Sequence, residues 1–218
     1  MKKLFVIAMI AGAIFYFKPD LFSFNFSNGA FDKNGEPIVY LFTFDRCGKH
    51  CDKAIAELEK RQVDFEVIDV EASPENEKLY SDMGRGGMPY LVAGNIKAIG
   101  FNKHMYATKL AEVFGEQYLT TTERGYYQNH FYDDDTPLVY MYGASWCQYC
   151  KKMREEFESN DIDYFELDVE EQADQDRLTQ AMGIGGYPTI FVGYRRIKST
   201  MDVGVIIKAM KEVSNRKI

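Results

Sequence analysis

Cys147-Gln-Tyr-Cys150 decides the reading of this chain, because its surroundings occur twice. One copy earlier stands Cys47-Gly-Lys-His-Cys51. Pro37, Val39, Tyr40 and Cys47 precede Pro137, Val139, Tyr140 and Cys147 by 100 positions. Beyond the motif, Cys51, Lys53, Glu57, Asp64 and Val70-Glu71 precede Cys150, Lys152, Glu156, Asp163 and Val169-Glu170 by 99. Met83-Gly84 and Gly86-Gly87-Met88-Pro89 keep that second offset to Met182-Gly183 and Gly185-Gly186-Tyr187-Pro188. The offset changes between the two cysteines, so the first copy carries one extra residue inside its motif. The sequence has only these four cysteines, and both pairs fall at one place in the repeat. The chain is a duplicated domain built around a dithiol.

Hydrophobic patterning predicts the same elements in each copy. Ile38–Phe42 and Leu138–Tyr142 read as apolar strands, followed by the cysteine motif and a helix with apolar positions such as Ala54, Leu58 and Met153, Phe157. Phe65–Val70 and Tyr164–Val169 read as second strands. Each is followed by a charged helix closed by Gly84 or Gly183 in the C-cap position. Tyr90–Ala93 and Thr189–Val192 are third strands. A hairpin at Gly94-Asn95 or Gly193-Tyr194 leads to a short fourth strand, and the closing helices are Tyr106–Val113 and Val203–Val213. The resulting boundaries are a linker at 19–36, a first domain at 37–115, a connector at 116–136 and a second domain at 137–218. The connector reads as polar and aromatic, with a solvated Asp133-Asp134-Asp135 run; at about 3.3 Å per extended residue it is long enough to let the two cysteine sites approach.

This β-α-β-α-β-β-α order, with cysteines between first strand and first helix and a proline opening the third strand, resembles the thioredoxin superfamily. The short length and the C-x-x-C close to C-P-Y-C resemble its glutaredoxin branch. Two such units in tandem look like the two-domain protein disulfide oxidoreductases. The fold implied is α/β: two thioredoxin-like domains after an N-terminal apolar segment. The resemblance implies that Pro89 and Pro188 are cis and face the dithiols. It also implies that the backbone at Tyr187 pairs with an extended substrate and that Trp146 and Tyr149 flank the reacting sulfur.

The chemistry follows from placement. A cysteine at a helix start meets unpaired N–H groups and the positive end of the helix dipole, which favour the thiolate nucleophile. Cys147 is thus expected to attack a substrate sulfur, and Cys150, one turn on, to resolve the mixed disulfide. The competing reading of this pair is a permanent staple, but so short a loop removes little chain entropy. Cys47 and Cys51, at i and i+4, are also close enough to bridge, with Cys51 on the helix and Cys47 on the lengthened loop. With His50 between them they also resemble the copper sites of Sco proteins, since soft thiolates select Cu(I). The first motif is therefore a redox dithiol, a metal site made of Cys47, Cys51 and His50, or a degenerate scaffold.

Exchange of this kind needs no cofactor; its partners are protein or small-thiol disulfides and an external reductant or oxidant. The resemblance implies glutathione as a candidate partner. Glutaredoxins hold it partly through Gly-Gly-x-x-Asp after the fourth strand. The second copy reads Ile197-Lys198-Ser199-Thr200-Met201-Asp202, with the Asp but neither glycine, and the first copy places Lys103 where the Asp stands. A formal net charge of -7 and the lack of a basic cluster exclude nucleic-acid binding as the main function.

At the N-terminus, Lys2-Lys3 precede an apolar run from Leu4 to Phe17. Fourteen residues at about 1.5 Å rise span ~21 Å, short of a ~30 Å hydrocarbon core. Residues 1–18 therefore read as a signal peptide or a signal anchor, with the remainder periplasmic or otherwise extracytoplasmic and, if uncleaved, tethered to the inner membrane by residues 4–17. In the linker, Phe22, Phe24 and Phe26 alternate as in a short strand or an apolar tether.

Overall fold

A computed structural model describes residues 29–198 and 201–215; the N-terminal apolar run, the alternating phenylalanines and Ser199-Thr200 lie outside the described residues. The first repeat comprises β1 (Val39–Thr43), α1 (Lys49–Lys60), β2 (Glu66–Asp69), α2 (Pro74–Asp82), β3 (Tyr90–Ala93), β4 (Ile96–Ile99) and α3 (Lys103–Phe114). After α4 (Thr121–Tyr127), the second comprises β5 (Val139–Gly143), α5 (Gln148–Ser159), β6 (Tyr164–Asp168), α6 (Gln175–Met182), β7 (Thr189–Val192), β8 (Arg195–Arg196) and α7 (Val203–Ser214). Each repeat forms one four-stranded sheet, in the orders β2-β1-β3-β4 and β6-β5-β7-β8. The first two strands of each pair in parallel and the remaining pairs are antiparallel.

The strand residues point alternately to two faces, and both faces are covered, which is why the central strands read as continuous apolar runs. In the second sheet, Val139 and Met141 face α5 and α7 and pack with Met153, Phe157, Ile190 and Ile206. Tyr140 and Tyr142 face the other way, into a cluster with Phe191, Val169, Leu178 and Met182. That second cluster also takes in Ala107 and Ala111 of α3, together with Leu119 and Tyr127. The first repeat and the connector thus supply part of the core of the second.

This arrangement gives the connector at 116–136 a helix, α4, that the sequence pattern did not announce. Thr120-Thr121-Thr122-Glu123 forms a capping box: Thr120 Oγ1 accepts the Glu123 N–H at 3.2 Å, and Glu123 Oε2 accepts the Thr120 N–H at 2.8 Å. Glu123 also accepts from both terminal guanidinium nitrogens of Arg61, Nη1 and Nη2, at 2.8 Å, while Arg61 Nε donates to Glu57 at 2.7 Å and Arg61 Nη1 to the Tyr118 carbonyl at 3.0 Å. Burial works against the charge of both partners. For Arg61, bonds to Glu123 and Glu57 outweigh it and raise the pKa; for Glu123, Arg61 and the Thr120 N–H outweigh it and hold the carboxyl below its usual range. The repeats touch directly as well. Arg195 Nε donates to Glu112 at 3.0 Å, and His104 Nδ1 lies 3.1 Å from the Ala181 carbonyl. Gly183 has φ +65°, and a Cβ there would fall 2.5 Å from the His104 ring, so glycine serves both the helix stop and the close approach. The connector is a packed helix between two joined units.

The repeat also extends upstream of Pro37 and Pro137. Phe31 bridges Pro37 and Phe131 bridges Pro137, closing equivalent turns in which Gly35 (φ 84°) and Asp135 (φ 62°) adopt left-handed backbone. Asp133, Asp134 and Asp135 are exposed on the second of these turns. Ala30 and His130 are equivalent and fully buried. His130 is held between the Gly193 carbonyl at 2.9 Å and the Tyr142 hydroxyl at 2.8 Å, and burial pushes it down to about 3. The unfolded chain takes up a proton there near pH 6.5, whereas the folded chain resists until about pH 3. Stability should therefore fall by about 1.4 kcal/mol for each pH unit as pH drops through that window. Urea titrations between pH 4 and 7 should show His130→Ala less stable at pH 7 by ~2–4 kcal/mol for the cavity, yet lacking that part of the acid slope. Parallel slopes in the two proteins would remove His130 from the acid response.

Candidate dithiol sites

Both cysteine pairs stand at the ends of the central strands, where the chain turns from β1 into α1 and from β5 into α5. Both are closed as disulfides, with Cα–Cα distances of 5.6 Å for Cys47–Cys51 and 5.2 Å for Cys147–Cys150. Cys147 is the N-cap of α5, and its Sγ accepts the Cys150 N–H at 3.0 Å. In the first repeat the extra residue is absorbed by a 3-10 turn over Asp45–Cys47 and by Gly48 at φ 49°; Cys51 lies inside α1. The expected difference between the two turns is therefore present. Cys150 is fully buried and Cys147 is 4% exposed; Cys51 is buried and Cys47 half-buried. In each pair the first cysteine is the less buried residue.

The residues flanking Cys147 are apolar and outward. Trp146 and Tyr149 are 64% and 61% exposed, and the Trp146 ring meets Tyr187 edge-on at 6.2 Å. Tyr149, Tyr187 and Pro188 line a cavity of about 320 Å³ with Ile190, Ile197, Lys198 and Met201. Ile190 and Ile197 belong to the same packed cluster as both cysteines, so the cavity adjoins the dithiol. The Met88–Pro89 and Tyr187–Pro188 bonds are both cis; Pro89 is buried and Pro188 half-buried.

Several residues of the second site escaped the sequence reading. Asp168, at the end of β6, accepts the Ser145 N–H at 2.6 Å and the Glu170 N–H at 3.1 Å, tying the approach to Cys147 onto the sheet. Glu170 accepts the Trp146 indole N–H at 2.6 Å. Arg154 donates twice to Glu166, both at 2.7 Å. At Gly143 a Cβ would fall 2.5 Å from a Glu166 oxygen and 3.4 Å from Cys150 Sγ, so this glycine gives room to an ion pair beside the buried sulfur. The first repeat has Thr43, Ile55 and Val67 at the corresponding positions. Local pattern signals none of these contacts. The repeated Val-Glu at 70–71 and 169–170 was the available clue.

The expected equivalence of Asp202 and Lys103 is corrected. Asp202 is the N-cap of α7, accepting the Gly204 N–H at 2.9 Å, and its counterpart is Asn102, the N-cap of α3. The second repeat has gained one residue before its last helix. His50 is exposed, His104 and His130 are engaged as described, and among the described residues no three His, Cys, Asp or Glu side chains gather in a metal-binding group.

Two four-stranded thioredoxin-like units, each presenting a cysteine pair at the head of a helix, define the chain as a tandem thioredoxin-fold protein. Residues 138–197, from the residue before β5 to the residue after β8, match the glutaredoxin family model. Among solved structures, the chain is similar to a buckwheat glutaredoxin in complex with glutathione (18% identity, TM-score 0.35, covering 43% of this chain and 90% of that one). It is also similar to the holo form of glutaredoxin C1 from Populus tremula x tremuloides (14% identity, TM-score 0.31, covering 43% and 89%). No curated protein matches the chain in sequence.

Proposed function

We propose that the chain is a thiol–disulfide oxidoreductase whose second repeat carries the principal dithiol. The observation that supports this best is Cys147 Sγ at the N-terminus of α5, receiving an N–H of the first turn, with a buried partner sulfur one turn on. Once the pair is reduced, the dipole and the free N–H groups favour the Cys147 thiolate. It attacks one sulfur of a substrate disulfide; that S–S bond breaks and the departing thiolate takes a proton from water. Cys150 then gives up its proton and attacks Cys147 Sγ, releasing the second substrate thiolate and leaving the Cys147–Cys150 disulfide. Two electrons pass from protein to substrate, and the same steps reverse when the oxidised protein meets a dithiol. Cys47 and Cys51 undergo the same chemistry in this reading, and an external thiol or disulfide couple restores each pair.

Insulin reduction driven by dithiothreitol tests the activity. The full chain and its Cys47→Ser/Cys51→Ser variant should both accelerate precipitation, and a rate no faster than dithiothreitol alone would count against the reading. Lys2-Lys3 and the apolar run Leu4–Phe17 support a site of action outside the cytoplasm. A reporter fused after residue 218 should be active only when exported; activity confined to the cytoplasm would reverse that assignment.

A further inference from the structure

The two dithiols are edged by different chemistry, and the difference is organised by one repeated contact. Trp146 and Arg46 occupy equivalent positions, each immediately before the less buried cysteine. Glu170 and Glu71 are likewise equivalent, and each engages its neighbour: Glu170 accepts the Trp146 N–H at 2.6 Å, and Glu71 pairs with Arg46 at 3.5 Å. The side chains of Trp146 and Arg46 are both largely exposed, so these glutamates, more than burial, orient them next to the cysteine that follows each in the chain. Other positions diverge too, and not all in one sense: Asp45 and Asp52 of the first repeat stand where the second has Ser145 and Lys151. Between the cysteines stand Lys49 and His50 in the first repeat but Gln148 and Tyr149 in the second, and Met88 takes the place of Tyr187. Asp45, Asp52, Asp69 and Glu71 are acids near the first motif; Glu71 is the one engaged by Arg46, and Asp69 accepts the Glu71 N–H at 2.9 Å. Only at the second does an aromatic pair, Trp146 on Tyr187, stand next to the cavity beside the dithiol.

We infer that the residue before each first cysteine, positioned by its glutamate, sets the substrate class of that dithiol. Arg46 directs Cys47–Cys51 to disulfides flanked by acidic groups, and Trp146 directs Cys147–Cys150 to disulfides flanked by apolar side chains. The guanidinium and Lys49 attract an anion near the first sulfur; the helix N-terminus is common to both sites. At the second, the indole and the adjoining cavity remove an apolar flank from water. This inference rests on the exchange reading above.

The test uses the full chain with one pair removed at a time, as Cys147→Ser/Cys150→Ser or Cys47→Ser/Cys51→Ser, reduced with dithiothreitol and desalted. The probes are short capped peptides whose single cysteine is disulfide-bonded to thionitrobenzoate and flanked by Asp, Ala or Leu. Attack on the peptide sulfur expels thionitrobenzoate, and the second protein cysteine then releases the peptide thiol, so two electrons reach each probe. The first site should prefer Asp to Leu flanks, and the second Leu to Asp, each on the order of tenfold. Only the first preference should weaken with salt. Arg46→Trp and Trp146→Arg should each invert the ranking at their own site, and Arg46→Ala and Trp146→Ala should flatten it. One ranking at both sites, or rankings unmoved by these substitutions, would overturn the inference and leave the exchange reading intact. No thionitrobenzoate release from any peptide would overturn both.

Discussion

Cys147→Ser, introduced into the Cys47→Ser/Cys51→Ser chain, should lower disulfide reduction at least ~1000-fold, because a serine hydroxyl is not ionised at neutral pH and forms no disulfide. Cys150→Ser should instead retain the first attack and accumulate the mixed disulfide, visible by mass spectrometry as protein joined to one substrate chain. The asymmetry follows from geometry. Cys147 caps α5 and is the less buried residue, whereas Cys150 is fully buried behind it. Mixed disulfides that accumulate on Cys150 in the Cys147→Ser protein would exchange the two roles.

The second large effect falls far from the sulfurs. Arg61→Ala should cost ~3–5 kcal/mol of unfolding free energy, because it strands the Glu123 carboxylate in the join between α1 and α4. The side chains of Arg61 and Glu123 are only 4% and 8% exposed, so solvent does little to soften the loss. Glu123→Gln should cost less, since an amide keeps part of the hydrogen bonding. Glu123 is held below the usual carboxylate range, so its contribution is full above about pH 4.5 and fades as pH falls through its lower folded value. Urea unfolding of Arg61→Ala within 1 kcal/mol of the parent would mean that the apolar contacts of Ala107, Ala111, Leu119 and Tyr127, with the Arg195–Glu112 and His104–Ala181 contacts, hold the repeats together without Arg61.

Most of the fold was legible because duplication marks each element twice. The shift in offset from 100 to 99 placed the extra residue between Cys47 and Cys51, where the 3-10 turn and Gly48 absorb it. The third strands, Tyr90–Ala93 and Thr189–Val192, were read to the residue, being short, apolar and bounded by proline and glycine. The helix within the connector went unread for a physical reason. Its apolar residues, Leu119 and Tyr127, are sparse and pack onto another unit, so they show no helical period of their own. The Thr120–Glu123 capping signature was the legible trace of that helix. The cysteines, Trp146, Tyr149, Tyr187 and Pro188 announced themselves by motif and repeat. Asp168, Glu170, Glu166 and Gly143 did not, because their contacts cross from one strand end to another and depend on sheet register. The single tryptophan is a useful consequence: its emission should report the state of Cys147–Cys150 and be blind to Cys47–Cys51.

The central claim, that these disulfides are working redox couples, is tested most directly by equilibrating the folded full chain with dithiothreitol buffers of graded potential. Alkylation and mass spectrometry count free thiols at each pair, while Trp146 emission follows the second. The account predicts that both pairs open and close reversibly without unfolding. Cys147–Cys150 should follow a two-electron curve, about 30 mV per tenfold change in ratio, and Cys47–Cys51 should have a separate midpoint. A Cys147–Cys150 pair that stays oxidised at every potential until the chain unfolds would contradict the account and make it a structural staple.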